Sequence, residues 1–313
     1  MKKKHIGLKI FLVLFVLLLM VTIGIFIRFY PVYKDAKFLA EKFSLTCLTY
    51  EFEAEINREE LQENQVKLLD TLAELTGVKK EAMYRLWVQG SVDGDIIHAV
   101  IYPEGQTEPL TELYLSDEED VVNCAMIYNR MRAYYTADND LLTYLIPVWN
   151  DHEYVSLEQI EQMLDVDLSV VRNFRIPFLG KKLTDKEAFV VLAVMKREKD
   201  GNRCSYGVKS DGLEIQLGLN YEAVSVIDVE ISGEKPAEQL ENLSGKLSKI
   251  GVHLDGSKWR FLDDIAMEAT VGSGETLQIP QDKISQTTVD LIANIRLIIK
   301  EIKGNWSVTF PIE

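Results

Sequence analysis

Histidine and cysteine are scarce in this 313-residue chain, at four and three residues. Three cysteines, Cys47, Cys124 and Cys204, are too few and of the wrong parity for a disulfide framework. No Cys-x-x-Cys pair occurs, so zinc ligation and thiol redox chemistry lack their usual donors. Cys124 alternates with Val122 and Met126, and Cys204 with Tyr206 and Val208; both are expected to point inward as small buried hydrophobes. The histidines, His5, His98, His152 and His253, stand far apart. "DHEY" at Asp151–Tyr154 lacks the second histidine of a zinc-protease helix. "VGSGE" at Val271–Glu275 has its glycines directly against the serine, which is not nucleophile-elbow spacing and reads as a turn. Neither a Walker A lysine motif nor G-x-G-x-x-G is present. Nothing here calls for a cofactor, and no catalytic signature stands out.

Positive charge is also short, with 34 Lys and Arg against 49 Asp and Glu. The imbalance is uneven. Residues 1–34 hold six cations and no acid, leaving 28 cations against 49 acids, a charge of −21, on residues 35–313. Such a body does not suit nucleic acid, whose binding rests on neutralised phosphates, and it would not lie flat on anionic lipid.

Long apolar runs are few as well, and a single one dominates. Ile10 to Ile27 reads IFLVLFVLLLMVTIGIFI, 18 residues without a charge. As a helix it would be roughly 27 Å long, close to a bilayer's hydrocarbon thickness. It is longer than a signal-peptide core and no A-x-A site follows it. Lys2, Lys3, Lys4 and Lys9 precede it and Arg28, Phe29 and Tyr30 follow, as charged and aromatic interface anchors do. Pro31 is expected to break or kink the helix there. The expectation is a leader over 1–9, a transmembrane signal anchor over 10–30, a juxtamembrane amphipathic helix or linker over 31–45, and an extracytoplasmic domain over 46–313, divisible into halves 46–152 and 153–313. The positive-inside rule puts the N-terminus in the cytoplasm at the cell membrane. The lipid bilayer is then one partner, and a further ligand or protein outside is another.

Past Pro31, Ala36, Leu39, Ala40 and Phe43 recur at helical spacing, as a stalk or as a first helix packed on the domain. In "LTYEFEAEIN", Leu48 to Asn57, apolar residues alternate with polar ones, which predicts a strand with Glu51, Glu53 and Glu55 on its wet face. Side chains two apart on one strand sit about 7 Å from each other, too far to share one ion without help from a neighbouring strand. Arg58 to Val78 changes to helical period. Two-residue alternation returns around Asp93-Gly94, a hairpin signal, and continues over Leu110–Leu115 and Val121–Ile127. Helices are expected over Asp138–Leu145, from Ser156, over Pro236–Ile250 with proline in the first turn, and over Ile284–Ile302. Ala188–Lys196, Arg203–Lys209, Leu213–Asn220 and Ala223–Ser232 read as a four-strand meander, followed by strand near Trp259–Val271. Strands with one apolar face and short turns predict antiparallel sheet with helices on that face, an α+β fold.

Acidic pairs such as Asp93/Asp95, Asp138/Asp140, Asp165/Asp167 and Asp117/Asp120 lack the glycine and distal glutamate of a calcium loop. They read as solvated loops and helix starts. Tyr102, Tyr114, Tyr128, Tyr134, Tyr135, Tyr144 and Trp149 concentrate between residues 100 and 150, as core and edge packing or as a binding surface. The reading that follows is a membrane-anchored binding or interaction module. Two other functions fit the same pattern. One is a carrier of an apolar, lipid-like ligand, similar in outline to the envelope half-barrels that hold lipids, an analogy of fold alone. The other is an extracytoplasmic hydrolase without a recognisable motif.

Overall fold

The computed structural model describes residues 28–42, 47–137, 143–144, 148–149, 153–164, 167–168, 171, 183–210, 212–221, 226–248, 256–272 and 276–285. Its first strand, β1 (Leu48–Ile56), follows the predicted alternation: Leu48, Tyr50, Phe52 and Ala54 are buried while Thr49, Glu51 and Glu53 are exposed. β1 is flanked by α1 (residues 28–42) before it and α2 (Glu63–Thr76) after it. The chain then runs through β2 (Arg85–Asp93), β3 (Ile96–Pro103), β4 (Thr111–Leu115), β5 (Val121–Asn123), α3 (Cys124–Thr136), β6 (Tyr154–Ser156) and α4 (Leu157–Leu164). After these come α5 (Asp185–Val194), β7 (Lys196–Asp200), β8 (Arg203–Ser210), β9 (Leu213–Asn220), β10 (Val226–Glu234), α6 (Pro236–Leu247) and β11 (Leu262–Val271).

The eleven described strands form one sheet of order β6-β5-β4-β3-β2-β1-β11-β10-β9-β8-β7, antiparallel at every pairing. The path starts at the centre, meanders outward to β6, passes to the far edge, and meanders back until β11 closes against β1. One sheet therefore runs through both 46–152 and 153–313. Its inner face carries the main core. There Val32, Ala36, Leu39 and Ala40 of α1 join Tyr50, Phe52, Val88, Leu192, Tyr206, Leu219, Ile265 and Met267. So α1 is packed on the domain instead of standing off as a stalk.

Tyr50 shows how tightly the centre is fitted. Its hydroxyl donates to the His98 carbonyl at 3.0 Å, reaching across Gly90 of β2. A Cβ on residue 90 would lie 2.1 Å from that carbonyl and 2.5 Å from the Tyr50 ring. Only glycine leaves that passage open. The sheet edges are closed in different ways. β7 reads Lys-Arg-Glu-Lys-Asp and is largely exposed, a charged edge that discourages further strand pairing. β6 has three residues, and Ile284 bridges it at Tyr154.

Several expectations need correction. Residues 188–194 belong to α5, not to a strand, because Thr184 and Glu187 form a reciprocal capping box that starts a helix; the meander's first strand is β7. Val121–Ile127 gives three residues of strand and then α3, since the Asn123 side chain accepts the Met126 N–H and caps a helix. Residues 28–42 are helical on both sides of Pro31, so the described helix continues past it. Ile284 and Ser285 are not helical, and the remainder of the predicted final helix lies outside the described residues, as does most of Asp138–Leu145. No described helix is long and apolar enough to cross a membrane. The run 10–27 is not among the described residues.

Candidate functional site

Strand register places three polar groupings on the sheet. The first is on the outer face at its centre. β1 is not an edge strand, so its glutamates do not guard an edge; their neighbours are what counts. Glu51 stands opposite Glu268 of β11, and Glu268 stands opposite Glu230 of β10. The result is a cross-strand row of three carboxylates. Glu55 faces Asp264 in the same way, and Asp264 faces Glu234. On the other side β2 relieves the charge: Gln89 donates to Glu51 at 2.6 Å and Arg85 pairs with Glu55 at 3.3 Å. Directly opposed side chains in an antiparallel pair have Cβ atoms about 5 Å apart, and like charges there are destabilising. Beyond Glu230, β7 to β10 curve into a depression of about 410 Å3. Glu198, Ser205, Gln216, Gly218 and Asp228 line it. Among the described residues, no three His, Cys, Asp or Glu side chains are placed to hold a metal ion.

The second grouping is also on the outer face, toward β6. Glu112, Asn123 and Tyr154 come into one row because β4, β5 and β6 are in register there. The Glu112 carboxylate accepts hydrogen bonds from Asn123 Nδ2 at 3.1 Å and from the Tyr154 hydroxyl, and its other oxygen meets His98 Nε2 at 3.2 Å. Hydrogen bonding from His98, against the opposing effect of burial and with help from Tyr154 and Asn123, holds the Glu112 carboxyl down at about 2. Burial and then Glu112 push the Tyr154 hydroxyl far above its usual value. His98 stacks on Tyr114 with ring centroids 4.5 Å apart. A strap over residues 276–285 crosses this part of the sheet: the Leu277 N–H donates to Asp93 at the end of β2, and Ser285 N–H donates to the Tyr154 carbonyl. Glu112 and His98 form an orienting pair, but no described nucleophile is hydrogen-bonded to the imidazole, so the arrangement stops short of a triad.

The third grouping is on the inner face, under α1. Asp35 is 3% exposed. Its Oδ2 accepts from Tyr206 at 2.6 Å, Arg197 Nε at 2.8 Å and Cys204 Sγ at 3.4 Å, and its Oδ1 accepts from Tyr221 at 2.5 Å. Arg197 of β7 lies opposite Tyr206 of β8; Cys204 and Tyr206 are two apart on one strand and so share its inner face. Burial alone would raise the Asp35 carboxyl. The hydrogen bonds from Tyr206, Tyr221 and Arg197, with the Arg197 charge, outweigh it and hold the carboxyl below its ordinary value. Burial, then the Asp35 charge, pushes the Cys204 thiol up to about 11, and burial takes Cys124 to about 12. Both are protonated and poorly nucleophilic at neutral pH. Cys47, Cys124 and Cys204 are all free.

Of the anticipated interface anchors, Lys2, Lys3, Lys4 and Lys9 lie outside the described residues. Arg28, Phe29 and Tyr30 form the start of described α1. The Arg28 guanidinium sits 5.8 Å from the Phe29 ring centre, Phe29 meets Phe189 of α5 at 6.1 Å, and Tyr30 is exposed. His152 and His253 lie outside the described residues. Several of the tyrosines between 100 and 150 are engaged by neighbours. Tyr102 meets Trp87 across β2 and β3, Tyr128 meets Trp149 edge-on, and Tyr135 donates to the Glu74 carbonyl. Tyr144 is exposed. The Asp117–Asp120 segment forms a self-bonded turn through Ser116. Sequence reading missed Asp35 and Glu112. A lone acid on the apolar side of an amphipathic helix was the one available signal for Asp35; Glu112 has none beyond its place in a strand.

No family model matches the chain, and no curated protein or solved structure is significantly similar to it.

Proposed function

We infer that the chain is a single-pass membrane protein whose N-terminus is cytoplasmic and whose residues 31–313 form an extracytoplasmic binding module. Its working surface is the outer face of the sheet, and its partner there is cationic. The sequence supports the tether: an uncharged run over 10–27 between Lys2, Lys3, Lys4 and Lys9 on one side and Arg28, Phe29 and Tyr30 on the other.

The row Glu51–Glu268–Glu230 carries the reading of the surface. A fold gains nothing from setting like charges opposite one another at the middle of its sheet. Local arrangements that oppose stability concentrate where function requires them. A basic partner would relieve that repulsion on binding, and complementary charge of this kind speeds and orients encounter. A carrier of an apolar ligand would need a dry cavity where α1 meets the sheet. There the described side chains pack against one another, which supports the opposite face as the working surface.

The test has two arms. Carbonate-washed membranes and protease accessibility in intact cells check tether and orientation; full-length chain that leaves the membrane in carbonate defeats the tether. For the surface, the detergent-solubilised chain is titrated with a ten-residue lysine peptide at low and high salt. Binding should weaken at least tenfold in the Glu51→Gln, Glu230→Gln, Glu268→Gln variant, and also with rising salt. Equal binding by the variant removes the surface from consideration.

A further inference from the structure

We propose that Asp35 is a latch that holds α1 on the sheet in one rotation and one depth, so that the outer face of the sheet keeps one fixed direction relative to α1. Its meaning for orientation at a membrane rests on the tether described above; the latch itself does not.

The fully buried apolar residues of α1 do little by themselves to set its docking. Two of its four core residues are alanines, Ala36 and Ala40, with Val32 and Leu39 completing the set. Small side chains let a helix slide or turn with little steric penalty, since few ridges and grooves interlock. The polar contact has no such freedom. Donors from three places, Arg197 on β7, Tyr206 and Cys204 on β8 and Tyr221 after β9, converge on two oxygens of one side chain.

Moving one residue along a helix turns it by roughly 100° and shifts it about 1.5 Å. That would take the Asp35 carboxylate away from all four donors, leaving the buried Tyr206 and Cys204 without it and Arg197 with only the Tyr206 hydroxyl. An unpaired buried charge is far more costly than a lost apolar contact. The neighbours offer no substitute acceptor: Lys34 and Lys37 are exposed cations and Ala36 has none to give. Phe38 reinforces the same pose, its ring 4.6 Å from that of Tyr221. The sheet stands between α1 and the outer face, so a fixed α1 fixes the direction in which the carboxylate row is presented.

The experiment measures pose instead of stability. In the full-length chain purified in detergent, Cys47→Ser removes the more accessible native thiol, while Cys124 and Cys204 stay buried. Spin labels go on the exposed positions Lys37 and Ser232 through Lys37→Cys and Ser232→Cys. With Asp35 intact, a single narrow distance distribution is expected. Asp35→Asn should broaden it to at least twice the width or add a second distance, while the circular dichroism of the body is kept. A purely structural contribution would lower the melting temperature and leave the distance unchanged. Where Asp35→Asn does not fold, the pair Tyr206→Phe and Tyr221→Phe removes two donors and keeps the ion pair with Arg197; it should broaden the same distribution. A narrow, unshifted distribution in a folded variant of either kind overturns the latch. Cell membranes holding the same variants, washed in carbonate, report on the tether separately, since a chain can keep the latch and lack the tether, or the reverse.

Discussion

Asp35 and Glu112 are the same chemistry built twice, on opposite faces and in opposite halves of one sheet. Each carboxylate is held ionised by tyrosine hydroxyl and nitrogen donors, Tyr206, Tyr221 and Arg197 at Asp35 and Tyr154, His98 and Asn123 at Glu112. The difference lies in what the partners connect. Glu112 ties neighbouring strands β3 to β6, and its histidine partner is 14 residues away in sequence. Asp35 ties α1 to strands 162 to 186 residues away. Glu112 stays partly open to solvent, with its side chain 23% exposed against 4% for Asp35. A short-range network of this kind stiffens a patch of sheet. The long-range one decides where a whole helix sits.

That contrast sets an order of consequences. The largest effect should come from Asp35→Ala, which removes the acceptor of two phenols and the ion-pair partner of Arg197, whose Nε keeps only the Tyr206 hydroxyl. A loss of about 3–5 kcal/mol in a denaturant melt is expected, and a smaller loss than Glu112→Ala would invert the comparison. Glu112→Gln keeps shape and half of the acceptor capacity, so about 1–3 kcal/mol is expected by the same measurement.

Acid should then separate native from variant chains. Both carboxyls are depressed in the fold. Their stabilisation is therefore complete above the unfolded values of about 4 and is lost as pH falls through the folded values, toward about 2 for Glu112. Urea melts between pH 6 and pH 2 should steepen over that window, and Glu112→Gln should flatten part of it. An unchanged slope in the variant would mean that the carboxyl is not depressed. Single phenol deletions come next, with Tyr221→Phe and Tyr154→Phe each costing about 1 kcal/mol. The smallest effect belongs to the outer row. Glu268→Gln removes a like-charge opposition and should raise the melting temperature by about one degree; a fall would show that the row stabilises the sheet.

Much of the local structure is legible in contiguous residues. β1 announces itself by alternation, the β2–β3 turn by Asp93-Gly94 with positive φ at Gly94, and α6 by Pro236 at its start. The errors are also local in origin. "AFVVLAVMK" has the apolar, β-branched look of a strand, yet Thr184 and Glu187 cap it as a helix, and capping chemistry just upstream outweighed composition. Val122 and Cys124 share a two-residue period across the point where Asn123 turns strand into helix, so period alone hid the boundary.

The site was less legible. From the sequence, Glu51, Glu53 and Glu55 could be given a face and nothing more. The sheet order set Glu268 and Glu230 beside them, because β11 returns to the centre after some two hundred residues. Charge, alternation, turns and the apolar run at 10–27 are properties of neighbouring residues, and the sequence by itself determined those. Which carboxylates stand together, and which helix a buried aspartate holds down, depends on pairing between distant strands. That is settled by the free energy of the whole sheet and its core, and only the tertiary structure decided it.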